Sequence, residues 1–406
     1  MVLIYNAAIR LYFGVIWIFS FFNQKAKLWI GGRNEQVVIR VEDAIWFHFS
    51  SLGEFEQGRP VLEVFRQKYP ENKIVITFFS PSGYEVRKNT SLGDAVYYLP
   101  LDTRQNAKEF LDAIQPKMAV FTKYEYWYHF FNELHRRGVP LYIISGIFRP
   151  GQIFFKWYGG LHRKMLGFVT WFFVQDDNSR ALLKNIDIAN VTVSGDTRFD
   201  RVWENAQAPN DLPLIARFKN SQKVFIAGST WPDDEKLIAG LVAAYPDWKF
   251  IIAPHEISVE KINKLFNLLP ANDVVKYSEF GNSQNPLTGR QILIIDNIGM
   301  LSSLYQYGDI AYIGGGFGVG IHNTLEAAAF GLPVIFGPNY ARFKEANDLV
   351  ALGAGFSIHN EEELKAIVDT LVNDVDFYLA VNKKILTYVK AHTGATTAIL
   401  TQIEKK

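Results

Sequence analysis

A chain of 406 residues with 49% hydrophobic content is too long for one ordinary core and implies two domains. It has no cysteine, which excludes disulfides, zinc–thiolate sites and cysteine nucleophiles, and its net charge of +1 argues against a nucleic-acid binder. The charge is uneven, with 25 Lys/Arg against 20 Asp/Glu in residues 1–205 and 17 against 21 in the remainder. Either the first half faces an anionic partner or membrane, or the asymmetry is scatter.

The chain opens on an apolar stretch. Leu11–Phe22, LYFGVIWIFSFF, has Ser20 as its one polar side chain, and the run extends back to Val2 with Asn6 and Arg10 as interruptions. No small-residue cleavage site follows, and Lys25, Lys27 and Arg33 do. Residues 1–30 therefore read as a short membrane anchor or interfacial helix with its basic flank on the cytoplasmic side, the alternative being a core helix.

Residues 31–205 alternate short apolar runs with helical patterns. Strands are expected at Ala44–Phe49, Ile74–Phe79, Ala95–Leu99, Met118–Phe121, Leu141–Ile144 and Trp171–Val174. Helices are expected near Phe55–Lys68, Gly83–Asn89, Ala107–Ile114, Tyr126–Arg137, Phe155–Leu166 and Asn178–Asn185. That alternation predicts a buried parallel sheet with right-handed crossovers. Residues 206–222, polar and with two prolines, read as a linker. A second alternating series fills 223–385. It has strands at Val224–Ala227, Phe250–Ile252, Ile292–Ile295, Ile310–Ile313 and Leu332–Phe336. Its helices are at Pro232–Ala244, Ser258–Leu268, Ala341–Leu352 and Glu361–Val372. Helices at Asp376–Lys390 and Thr396–Lys405 close the chain, and residues 386–406 are expected to pack back on the first domain. The expected fold is α/β, two doubly wound Rossmann-like domains with a ligand cleft at the carboxyl ends of their strands.

Seven segments at strand ends carry chemistry. HFSSLGEFE brings Glu54 to the start of a helix, where partial burial would raise its pKa toward general-base range, or where it simply complements the helix dipole. FTKYEYW offers Lys123 and Glu125, to orient an acceptor or to form a structural ion pair. SGDTRFD offers Arg198, a fork for phosphate or carboxylate, or an interdomain salt bridge. GSTWPDDE presents Ser229 and Thr230 before a helix opened by Pro232, and APHE presents Ala253, Pro254 and His255. DNIGML brings Gly299, Met300 and Leu301 to another strand end. The seventh is the fullest: GGGFGVGIHNTLEAA, residues 314–328, with a helix expected from about His322 and capped by Asn323 or Thr324. Glycines such as Gly315 and Gly316 allow close backbone approach, and helix-start amides attract phosphate. The bland alternative is a tight strand-to-helix turn.

Taken in order, HFSSLGE, KYEYW, GSTWPDDE, APHE, DNIGML and GGGFGVGIHNTLEAA resemble the motif series of the 3-deoxy-D-manno-octulosonic acid (Kdo) transferases of lipopolysaccharide assembly. The resemblance covers nearly the whole chain. It implies the GT-B fold and an inverting glycosyl transfer from CMP-Kdo to a lipid A precursor (lipid IVA). It implies Glu54 as general base, with Arg198, Lys123 and Glu125 beside it. The donor side would comprise Ser229, Thr230, Ala253, Pro254, His255, Gly299, Met300, Leu301, Gly315, Gly316, His322, Asn323, Thr324, Leu325 and Glu326. Lys123 stands where the family often has a carboxylate, and Ala253 where it usually has arginine. No metal and no cofactor is expected, and the implied location is the cytoplasmic face of a bacterial inner membrane. Phe155–Phe168, mixing Lys156, Arg163 and Lys164 with aromatics, is expected on the membrane surface. A UDP-sugar enzyme of the same fold and a non-catalytic nucleotide- or glycan-binding protein remain as alternatives.

Overall fold

The structure, a computed structural model, describes residues 1–123, 125–280 and 289–405, so Tyr124 of FTKYEYW lies outside the described residues. The chain forms two compact units, residues 1–201 with 392–406, and residues 202–391.

Unit 1 runs through α1 (Val2–Phe19), α2 (Gln24–Glu35), β1 (Ala44–Phe49), α3 (Leu52–Lys68), β2 (Ile74–Phe78), α4 (Pro81–Arg87) and β3 (Ala95–Tyr98). It continues with α5 (Arg104–Ile114), β4 (Pro116–Thr122), α6 (Tyr128–Arg136), β5 (Leu141–Gly146), α7 (Gly160–Leu166), β6 (Trp171–Val174), α8 (Asp177–Lys184), β7 (Val191–Val193) and the start of α9 (Thr197–Gln207). Its seven strands are ordered β3-β2-β1-β4-β5-β6-β7, and every pairing is parallel. All six residues of β1 are buried, as a strand covered by helices on both faces requires.

Unit 2 holds α10 (Pro213–Lys219), β8 (Val224–Thr230), α11 (Pro232–Ala244), β9 (Lys249–Pro254), α12 (Val259–Leu268), β10 (Val274–Lys276), α13 (Tyr277–Phe280), β11 (Ile292–Ile294) and α14 (Leu301–Leu304). After them come β12 (Ile310–Ile313), α15 (Leu325–Ala328), β13 (Val334–Phe336), α16 (Lys344–Ala351), β14 (Gly355–Ser357), α17 (Glu361–Asn373) and α18 (Val375–Ala391). The order is β10-β11-β9-β8-β12-β13-β14, again all parallel. The closing helix α19 (Ala395–Glu404) belongs to unit 1.

Several elements depart from the sequence reading. The edge strands β7, β10 and β14 were not expected; each is three residues long. The helix expected over Phe155–Leu166 is broken into a 3-10 turn at Ile153–Phe155 and α7. The break falls at Gly159, where a Cβ would lie 1.9 Å from the Ile153 carbonyl oxygen. The 206–222 segment holds the end of α9 and the whole of α10.

Helix α1 is long and apolar enough to cross a membrane by length and composition, with mean hydropathy 1.7. One face is nevertheless docked on unit 1. Tyr5 Oη donates to Asp102, Tyr128 N–H donates to Tyr5 Oη at 3.3 Å, and Asn6 Oδ1 lies 2.6 Å from His129 Nε2. The outer face exposes Leu3, Ile4, Leu11, Val15, Ile18 and Phe19. Of the basic residues that follow, Lys25 and Lys27 are exposed. Arg33 is turned inward instead, donating to the carbonyls of Phe79 (2.7 Å) and Leu99 (2.9 Å) over the Trp29 ring. Burial pulls its guanidinium down to about 9.

Candidate active site

In a doubly wound sheet the crevice opens where neighbouring strands send their crossovers in opposite directions. In unit 1 that point lies between β1 and β4. The chain leaves β1 through Ser50 and Ser51 into α3, which puts Glu54 in the first helical turn. It leaves β4 through Lys123, whose φ of 61° is the left-handed conformation that side chains other than glycine rarely adopt. Glu54 Oε2 accepts from Ser50 Oγ at 2.9 Å and from Ser51 Oγ. Burial pushes its pKa up, but the Ser51 and Ser50 hydroxyls and the Lys123 charge together outweigh burial and hold it below the ordinary value. The expected upward shift is therefore corrected. Two hydroxyl donors and a cation favour the carboxylate more than partial desolvation disfavours it.

The neighbouring groups are tightly organised. Asp196, buried at the start of α9, accepts from Gln57 Nε2 (2.8 Å) and from Arg198 N–H, Nε and Nη2 (2.9, 2.9 and 2.7 Å). Burial pushes this carboxyl up too, and Arg198 with Lys123 brings it below its ordinary value. Two donors of the Arg198 fork, Nε and Nη2, are thus committed to Asp196, a residue the sequence reading did not single out. Glu125 Oε2 accepts from Trp127 Nε1 at 2.9 Å and faces His48 Nε2 at 3.4 Å. His48 is fully buried, with Nδ1 2.8 Å from Thr77 Oγ1, and burial lowers its pKa. A neutral His48 that receives the Thr77 hydroxyl proton presents Nε2–H to the Glu125 carboxylate.

In unit 2 the corresponding crevice lies between β8 and β12. Ser229 and Thr230 end β8, and Gly314, Gly315 and Gly316 follow β12. The loop packs on the β8 turn. A Cβ at Gly314 would lie 2.3 Å from Ser229 O, and one at Gly316 would lie 2.6 Å from the Gly337 backbone. Asp234, buried in α11, binds both sides: Oδ2 accepts from Trp231 N–H (2.8 Å) and Gly315 N–H (2.9 Å), and Oδ1 accepts from Tyr312 Oη (2.7 Å). The Gly315 amide is thereby occupied by protein. Close approach here is of backbone to backbone.

The expected helix at His322 is a single turn, α15, starting at Leu325. Asn323 Oδ1 accepts from Leu325 N–H (3.1 Å), and Asn323 Nδ2 donates to Glu326 Oε1 (3.0 Å). Thr324 is fully buried, and its hydroxyl has no hydrogen-bond partner among the described residues. Thr230 Oγ1 donates to Glu235 Oε1 (3.1 Å), and His255 N–H donates to Thr230 O (2.9 Å). Gly228 faces Tyr305 and Leu301, and Glu326 adds to the burial that raises the Tyr305 phenol. Gly299 has φ 98°, Met300 is buried, and Ala253 and Pro254 end β9. Unit 2 thus carries the residues expected on the donor side after the ends of β8, β9, β11 and β12. Among the described residues no three His, Asp or Glu side chains converge in metal-binding geometry.

A family model described as 3-deoxy-D-manno-octulosonic-acid transferase matches residues 22–201. A 3-deoxy-D-manno-octulosonic acid transferase from Chlamydia trachomatis is 27% identical over 81% of this chain and 78% of that protein. The chain resembles the Kdo transferase family over most of its length. Members of that family are glycosyltransferases. A bifunctional glycosyltransferase/methyltransferase from Fusobacterium nucleatum is 28% identical over 87% of this chain, which spans 57% of that longer protein. In three dimensions the fold is similar to UDP-GlcNAc 2-epimerase from Neisseria meningitidis, with a TM-score of 0.62 and 15% identity over 89% of this chain and all of that one.

His48, Asp196, Trp231 and Asp234 organise these sites and were absent from the expected site residues. All four lie inside quoted motifs, HFSSLGE, SGDTRFD and GSTWPDDE, but only three-dimensional pairing separates an organising residue from its neighbours there.

Proposed function

We propose that this chain transfers Kdo from CMP-Kdo to a lipid A precursor, with inversion at the anomeric carbon. Glu54 takes the proton of an acceptor hydroxyl as that oxygen bonds to the anomeric carbon, and CMP leaves with the bonding electrons of the old glycosidic oxygen. The observation that carries this reading is the ionised Glu54 at the β1–β4 crevice of a chain similar to Kdo transferases. A carboxylate held by two serine hydroxyls is a weak base at rest. A substrate hydroxyl that displaces those donors raises its pKa during the reaction and makes it a stronger one. Arg198, Lys123 and Glu125 flank the acceptor. Ser229, Thr230, Ala253–His255, Gly299–Leu301 and His322–Glu326 line the nucleotide side, where polar groups oriented beforehand stabilise the departing phosphate.

The acceptor is an anionic glycolipid, and the exposed apolar face of α1 supports an interfacial rather than a spanning helix, since its other face is hydrogen-bonded to unit 1. Exposed Trp157 and Tyr158 with Lys164 extend the same kind of surface. The proposed location is the cytoplasmic face of the inner membrane.

The test is mass spectrometry of lipid IVA after incubation with CMP-Kdo or with UDP-sugars. Added Kdo masses are expected with CMP-Kdo alone, and their number gives the units transferred. Glu54→Gln is expected to lower kcat by about 10²–10⁴-fold. Transfer by Glu54→Gln at near the wild-type rate would remove Glu54 from its role, and turnover of a UDP-sugar in place of CMP-Kdo would overturn the donor assignment.

A further inference from the structure

Three aromatic rings lie nearly parallel beside the glycine loop. His255 stacks on Trp231 at 5.0 Å between centroids and on His322 at 4.3 Å, and the Trp231 and His322 planes differ by 6°. Trp231 Nε1–H donates to His322 Nε2 at 3.0 Å. An indole nitrogen can only donate, so His322 Nε2 must be the unprotonated nitrogen. Burial, with His255 adding to it, pulls His322 down to about 4, so the ring is neutral at physiological pH and its proton sits on Nδ1.

The orientation is fixed as well. The Cδ2–Nε2 edge of His322 faces Gly315, where a Cβ would come 3.1 and 3.3 Å from those two atoms. His322 N–H is tied to Gly314 O at 3.1 Å. Asp234 clamps the Trp231 and Gly315 amides together, so the donor and acceptor of the indole–imidazole bond ride on one rigid frame. The Nδ1 edge turns away from that frame and has no hydrogen bond to a described residue.

We propose that Trp231 is a positioning residue. By holding His322 in the Nδ1–H tautomer, it aims a neutral hydrogen-bond donor at the phosphate of the bound nucleotide. This rests on the nucleotide-sugar reading of unit 2, and it adds the residue that sets the tautomer.

Nitrogen-15 NMR of the full-length wild-type protein at neutral pH should show His322 Nδ1 protonated and Nε2 bare. Trp231→Phe, which keeps the ring and loses the N–H, should leave a mixture of tautomers and weaken CMP binding by about 3–10-fold, the worth of one hydrogen bond. Binding of cytidine, which lacks the phosphate, should be unchanged. His322→Ala should show the same CMP-selective loss, and it decides the matter if Trp231→Phe does not fold. A protonated Nε2 in wild type, unchanged CMP affinity in the variants, or equal weakening of CMP and cytidine would each overturn the proposal. A wild-type protein that binds UDP and not CMP would overturn the choice of nucleotide, while the NMR result would still decide the tautomer.

Discussion

Glu54 shows how a side chain's neighbours override its burial. Desolvation alone would lift this carboxyl, yet Ser51, Ser50 and Lys123 reverse the sign. A base works only when deprotonated, so a lowered pKa moves the acid limb of the pH–rate profile below the ordinary carboxylate range. Replacing both serines with alanine removes the two largest of the four lowering influences, leaving the Lys123 charge and a backbone hydrogen bond. The Ser50→Ala/Ser51→Ala variant is therefore expected to shift the acid limb of kcat/KM toward higher pH. Loss of activity should begin nearer neutrality as pH falls. A limb that stayed where it was would mean that the hydroxyls do not set the titration of the proposed base. Sequence made Glu54 legible through its position after β1 and through the motif around it. It did not reveal the sign of the shift, because that depends on hydroxyls returning from the turn and on a lysine more than sixty residues away. Arg198 was legible as a cation near the site for the same reason. Its commitment to Asp196 was not, since both residues lie in one helix start and only their rotamers decide who holds whom.

Among elements, the central strands of both sheets could be read directly because buried parallel strands are continuous apolar runs. The edge strands β7, β10 and β14 are too short to carry a pattern. The stretch after β12 looked like a helix start from His322, with capping residues in place, but Asn323 bonds Leu325 N–H and the helix runs one turn. The glycines there are needed by packing, and this separates them from one another. Gly314→Ala would set a methyl 2.3 Å from Ser229 O and 2.6 Å from Thr230 Cα, both backbone atoms that cannot yield alone. That overpacking is expected to cost about 1–3 kcal/mol in urea unfolding. Gly318→Ala meets nothing closer than 3.8 Å and should stay within about 0.5 kcal/mol of wild type, as a surface substitution does. Equal costs for the two would refute the claim that the β8 turn demands the first glycine. The frame at stake holds Trp231, His322 and Asp234, so Gly314→Ala should also weaken CMP binding, and Gly318→Ala should not.

At the scale of the whole molecule, the chain leaves unit 1 at about Arg201 and re-enters it at His392. The return is built into the core. Asp200 accepts from Gly394 N–H (2.5 Å) and Thr396 N–H (2.6 Å), His392 stacks on Phe199 at 4.9 Å, and Glu404 reaches Lys68 on α3. Ile399 and Ile403 of α19 are buried in the cluster that holds Phe47, Phe49 and Phe65. Helix α3 is thus covered by the last helix of the chain, and α3 carries Glu54 in its first turn. Burying two isoleucines is worth about 3–6 kcal/mol at roughly 1.5–3 kcal/mol each, a large share of a domain's usual margin. Ending the chain after Ala391 should therefore destabilise unit 1 selectively. Hydrogen exchange read by mass spectrometry can assign the loss. Peptides from β1, β2 and α3 should exchange faster in the shortened protein, while peptides from β8, β9 and β12 keep wild-type protection. If both sets lost protection together, the two units would share one cooperative transition, and α19 would be stabilising the chain as a whole. If neither changed, the contacts of α19 would be incidental to unit 1. With the expected result, activity should fall because α3 and Glu54 lose their support, while CMP affinity, proposed to reside in unit 2, should hold.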